Sequence, residues 1–133
     1  MALFLSTAVY QLDDKKRVPM PPKYRPFFDG PAFLTSGKDP CIEVYTQEDF
    51  ESAAYEVKSL PKDSHEGREA RRKFFSDGDT VMKDSQGRLL IPSHLIAHAQ
   101  LVKDVVVAGA GDWFEIWDKT NWEARNGAVR TEG

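Results

Sequence analysis

The strongest constraint on this chain is that it is written twice. D-D-K-K-R-V-P-M-P begins at Asp13 and D-S-Q-G-R-L-L-I-P begins at Asp84, and both obey D-x-x-x-R-h-x-h-P, with h apolar. The two aspartates stand 71 residues apart. Further on, Gly37 answers Gly109, and C-I-E-V-Y from Cys41 answers W-F-E-I-W from Trp113, now at a spacing of 72, so one residue is inserted between. A repeat of this kind is one supersecondary unit present twice. With 133 residues in all, the chain is one domain, or two small units sharing a core. Each copy carries one Asp and one Arg at fixed spacing, which suits a pseudo-symmetric binding surface better than a single catalytic pocket.

The local patterns give an α+β chain. Residues 3–12 have strand character, Asp13 to Lys16 is a turn, and prolines 19, 21 and 22 confine the segment after Arg17 to an edge or loop. Lys23 to Phe28 forms a short helical turn, and strands over 32–36 and 42–45 flank the turn G-K-D-P. Thr46 caps a helix reaching Leu60, with Phe50, Ala53, Ala54 and Val57 on one stripe, and a charged second helix covers 64–75. In the second copy, strands over 80–83 and 88–91 surround the turn at Asp84. A short helix from Pro92 to Ala99 follows, then a hairpin of 105–108 with 113–117, and a helix capped by Asp118 that holds Trp122. Residues 1–75 form the first unit, 76–125 the second, and 126–133 a flexible tail.

The Asp-x-x-x-Arg turn has two readings. In one, the carboxylate collects turn N–H groups and pairs with the guanidinium, fixing a hairpin. In the other, a β-ribbon enters the major groove, and arginine bonds O6 and N7 of guanine while aspartate holds its plane. Asp13, Lys15, Lys16 and Arg17 are the candidates in the first copy, and Lys83, Asp84, Gln86 and Arg88 in the second. Lysines 15 and 16 suit phosphate contacts, whereas the second copy has Ser85, Gln86 and Gly87 in the corresponding stretch.

Little else suggests chemistry. His94 and His98 stand four apart but lack a third ligand of metal-site spacing, so no metal and no cofactor are expected. The aromatics Trp113, Phe114, Trp117 and Trp122 suit a core or a subunit contact. No phosphate-binding glycine loop and no nucleophile motif occurs, so the chain is not read as an enzyme and no small-molecule substrate is expected. The lone Cys41 is expected to be a buried thiol in a reducing cytoplasm. No apolar run reaches the ~20 residues a membrane span needs. The net charge of −3 limits non-specific DNA affinity, but the basic stretch from Lys15 to Arg25 is locally dense.

These marks together resemble the MraZ family of bacterial proteins, over about residues 3–123. The doubled D-x-x-x-R, D-S-Q-G-R-L-L-I-P from Asp84, A-Q-L-V-K-D-V-V-V-A-G from Ala99 and F-E-I-W-D from Phe114 carry the resemblance. It implies two tandem swapped-hairpin units like those of AbrB and MazE, forming a pseudo-two-fold double-wing β-barrel with flanking helices. It also implies a ring-shaped homo-oligomer and a nucleoid-associated regulator of transcription. Such a regulator binds repeated boxes in double-stranded promoter DNA of the division and cell-wall gene cluster, usually as a repressor. Two departures stand out: K-K-R replaces the family's K-G-R at Lys16, and Ser6 replaces an early glycine. The alternative is a ring-forming interaction or antitoxin-like protein without promoter-specific binding.

Overall fold

The computed structural model describes residues 2–129. The first copy supplies β1 (Thr7–Gln11), β2 (Arg17–Pro19), a 3-10 turn (Arg25–Phe27), β3 (Ala32–Ser36) and β4 (Cys41–Tyr45). Two helices follow, α1 (Gln47–Lys58) and α2 (His65–Ser76). The second copy supplies β5 (Asp79–Val81), β6 (Arg88–Leu90), α3 (Ser93–Ala99), β7 (Asp104–Gly109), β8 (Phe114–Asp118) and α4 (Lys119–Asn126). The fold is α+β with antiparallel pairing throughout.

The copies are interleaved. The main sheet runs β1-β7-β8-β4-β3-β5, and β2 pairs with β6 in a separate ribbon. Exchanging each strand for its counterpart (β1 with β5, β2 with β6, β3 with β7, β4 with β8) reverses this order and leaves every neighbour unchanged. Two residues mark the local symmetry. Val18 pairs with Leu89, 71 positions on, and Glu43 pairs with Glu115, 72 positions on. In each case a residue faces its own repeat counterpart.

The expected closed barrel is not formed. Among the described residues, the end strands β1 and β5 do not pair with each other. Pro19, Pro21, Pro22 and Pro92 lack the amide hydrogen a continuing ladder needs, so the β2–β6 ribbon stays short and separate. The first strand is also shorter than its pattern suggests. Ser6 is left-handed at φ 75°, which breaks the extended run, and Phe4 joins the sheet only through a bridge to Gly111.

Alternation along the strands builds the core. Leu34, Ile42, Val44, Val105, Val107 and Ile116 point to one face and are buried with Val18, Leu89 and Ile91 from the ribbon. Phe4, Tyr24, Phe28 and Phe114 form an aromatic cluster at ring separations of 4.8–6.0 Å. The Tyr24 hydroxyl donates to the Leu5 carbonyl at 2.6 Å, and burial pushes its pKa up to about 12.

Helix α3 packs into this core through Leu95 and Ala99, while α1 and α4 cover the other face by a repeated device. Thr46 and Asp118, counterparts in the repeat, both cap helices, accepting the amides of Asp49 and Thr120. Just inside, Phe50 meets Tyr45 edge-on at 5.7 Å, and Trp122 meets Trp117 in the same way at 5.7 Å. Cys41 is buried beside Trp117, as expected. Of the expected tail, Asn126 still belongs to α4 and Val129 packs on the Trp117 cluster, while residues 130–133 lie outside the described residues.

Candidate nucleic-acid interface

The ribbon brings the two motifs together, and they fold identically. In the first turn, Asp13 Oδ1 accepts the amides of Lys15 and Arg17, both at 2.9 Å, and Oδ2 accepts Arg17 Nε at 2.8 Å. In the second, Asp84 Oδ1 accepts the amides of Gln86 and Arg88, both at 2.9 Å, and Oδ2 accepts Arg88 Nε at 2.7 Å. The backbone repeats as well. Asp13 and Asp84 donate their amides to the carbonyls of Arg17 and Arg88, and Lys16 and Gly87 donate theirs to the carbonyls of Asp13 and Asp84.

Each aspartate therefore fixes its own turn and its own arginine. One oxygen closes the turn, and the other holds the guanidinium by Nε alone. Among the described residues, the Nη atoms of both arginines make no hydrogen bond. Arg17 Nη1 also lies 4.0 Å from Asp84 Oδ2, on the other turn. The arginine side chains keep 26% and 24% of their surface exposed, so neither is favoured by access. Bonds from the arginine amides, then from the guanidiniums, hold both aspartate carboxyls below the ordinary carboxylate value.

The turns require a left-handed residue at one place. Gly87 has φ 76° there, and its counterpart Lys16 has φ 64°. Lysine has thus replaced glycine without changing the turn, at the cost of backbone strain. Ser6, the other departure from glycine, is left-handed too.

The remaining candidates divide. Lys15 and Lys16 are exposed on the first turn and Gln86 on the second. Lys83 does not join them in the same way, because its ammonium donates to the Phe28 carbonyl. One basic residue at the site carries no motif. Arg25 donates Nε to the Met20 carbonyl at 3.0 Å and lies against Gly87. Only its place in the basic stretch from Lys15 hints at it in the sequence. His94 turns to the Asp77 carbonyl and His98 to those of Gly37 and Asp39, and neither ring faces the ribbon turns through a hydrogen bond.

The same doubling is found by comparison with known proteins. The family described as "MraZ protein, putative antitoxin-like" matches twice, over residues 3–73 and 74–126. The chain belongs to the MraZ family. Curated MraZ relatives match nearly end to end. The protein from Thermomicrobium roseum is 34% identical over 98% of this chain and 92% of its own length. Those from Heliobacterium modesticaldum and Micrococcus luteus are 38% and 37% identical, over 93% and 90% of this chain and 87% and 84% of their own lengths. All three relatives bear the name transcriptional regulator MraZ. Among the described residues of this MraZ chain, no helix is long and apolar enough to cross a membrane.

Proposed function

We propose that this chain is a DNA-binding transcriptional regulator that reads duplex DNA with its paired Asp–Arg turns. One observation carries the reading. Arg17 and Arg88 stand on one two-stranded ribbon, each held by a single side-chain hydrogen bond at Nε, with none at its Nη atoms among the described residues. A ribbon of this kind fits the major groove, and a pre-oriented guanidinium is the side chain best suited to guanine O6 and N7. Lys15 and Lys16 contribute phosphate contacts, and Gln86 lines the tip of the second turn. Lys83 contributes less, its ammonium being held by Phe28. The names of the relatives agree with this reading.

The interleaved strands support swapped-hairpin units of the AbrB and MazE type, with residues 1–75 and 76–125 as the repeat halves. A net charge of −3 gives one subunit weak affinity. A ring of subunits on repeated promoter boxes, repressing the division and cell-wall gene cluster in the nucleoid, restores affinity by avidity. The open edges of β1 and β5, with Val9 and Met82 exposed at or beside them, offer contacts for such assembly. The antitoxin-like description of the family and the acidic balance favour one alternative, an interaction protein without promoter specificity.

The test is a gel-shift titration of the protein against duplex from upstream of its own gene and against a shuffled duplex of equal length. Retardation of the upstream duplex at a much lower protein concentration is expected. Equal affinity for both duplexes contradicts sequence-specific reading.

A further inference from the structure

We infer that Arg25 gives the second turn the phosphate-contacting cation that Lys16 gives the first. This rests on the DNA-binding reading above. The turns match in backbone and in their Asp–Arg pairs but not in charge. The first carries Lys15 and Lys16 beside Arg17; the second carries Ser85, Gln86 and Gly87 beside Arg88. Lys16 and Gly87 are repeat counterparts and share the left-handed conformation. The side chain the second turn lacks at that point is replaced from elsewhere. A Cβ built on Gly87 lies 2.2 Å from Arg25 Nε and 2.7 Å from its Cζ, so the Arg25 guanidinium occupies the space where a side chain at 87 would begin.

Its position is fixed to the turn. Arg25 Nε donates to the Met20 carbonyl at 3.0 Å, and the Met20 amide donates to the Gly87 carbonyl at 2.9 Å. The bond uses one of five donors. Among the described residues the Nη atoms have no hydrogen-bond partner, and no carboxylate lies within ion-pairing distance of them. A half-buried guanidinium anchored at Nε, with free Nη donors, suits a phosphate oxygen pair. The first copy needs no such residue, and there the counterpart of Arg25 is the apolar Ile96, packed against the core. The first turn thus has its own lysine and no imported arginine, and the second has the reverse.

The inference separates from a purely buttressing role by salt dependence. The slope of log Kd against log salt is measured on the protein with its upstream duplex for the parent, Arg25→Met, Arg25→Lys and Lys16→Met. Arg25→Met should lower the slope by about one for each engaged subunit, as Lys16→Met does, and weaken all sequences alike. Arg25→Lys keeps the charge but not the Nε bond and should keep the parent slope. A folded Arg25→Met protein with the parent slope, beside a lowered slope in Lys16→Met, overturns the inference and leaves DNA binding standing. A slope in Arg25→Lys lowered as far as in Arg25→Met also overturns it. If Arg17→Ala with Arg88→Ala binds like the parent, the DNA reading itself fails, and the inference with it.

Discussion

Arg17 reaches past its own aspartate toward the other one: its Nη1 lies 4.0 Å from Asp84 Oδ2, beyond the 2.8 Å bond that joins its Nε to Asp13. The reciprocal pair, Arg88 with Asp13, does not come so close. Two turns separated by 71 residues are thereby neighbours on one ribbon. Arg17 senses two carboxylates and Arg88 one. Such a long, partly exposed contact contributes little to stability. Its value is that it shows the two guanidiniums share one small surface.

The left-handed site gives a prediction with opposite signs in the two copies. Lys16→Gly relieves a strained lysine and should stabilise the fold by about 0.5–1 kcal/mol, less the entropy glycine adds to the unfolded chain. Gly87→Ala introduces the same strain and also meets Arg25, so it should destabilise by more than about 1 kcal/mol. Urea denaturation of both variants checks this. A destabilised Lys16→Gly protein would show that the lysine side chain holds its turn.

The aspartates give a pH dependence. Both carboxyls are held below the ordinary value of 3.8, so the unfolded chain binds more protons than the folded one between the lowered and ordinary values. The stabilisation is complete above the ordinary value and is lost as pH falls through the lowered ones. In a protein with Asp13→Asn and Asp84→Asn together, the urea midpoint should fall less between about pH 5 and pH 3 than in the parent. Parallel acid limbs in the two proteins would contradict the assignment.

Glu43 predicts the opposite slope. It faces Glu115 across β4 and β8, and burial, together with the Glu115 charge, raises its carboxyl while a bond from the Tyr45 hydroxyl lowers it. A raised acid stabilises fully below its ordinary value, and that contribution is lost as pH rises through the folded value. Glu115 meanwhile accepts the indole N–H groups of Trp113 and Trp117. Glu43→Gln removes a like-charge pair at a directly opposed position and should raise the melting temperature at neutral pH, by the equivalent of about 0.2–1 kcal/mol. A lower melting temperature would show that the carboxylate of Glu43 is needed by its neighbours.

Much of this was legible because it is local. The repeat, the caps at Thr46 and Asp118 and the proline-limited ribbon strand follow from residue type and spacing, and the family resemblance marks the place where lysine stands for glycine. The pairing across copies was not legible. Nothing in Val9 or Phe33 says that their partners are Val106 and Thr80, because alternation fixes a face and not a neighbour. The same blindness hid Arg25, whose role comes from Gly87, 62 residues away in sequence. It also left Lys83 beside the second motif as a candidate, though its ammonium turns to Phe28. The barrel expected from the resemblance was replaced by an open sheet and a ribbon, where prolines deny the ladder its donors.

The most direct test of the paired arginines is the affinity of Arg17→Ala with Arg88→Ala for upstream duplex, with circular dichroism and size exclusion confirming an intact fold and assembly. Each aspartate closes its turn through backbone amides, so the turns should survive loss of the guanidiniums. The account predicts a loss of roughly 1–3 kcal/mol for each arginine engaged with a base, multiplied over the subunits bound, and reduced preference over shuffled DNA. A folded, assembled double variant that binds the upstream duplex as tightly and as selectively as the parent would contradict it.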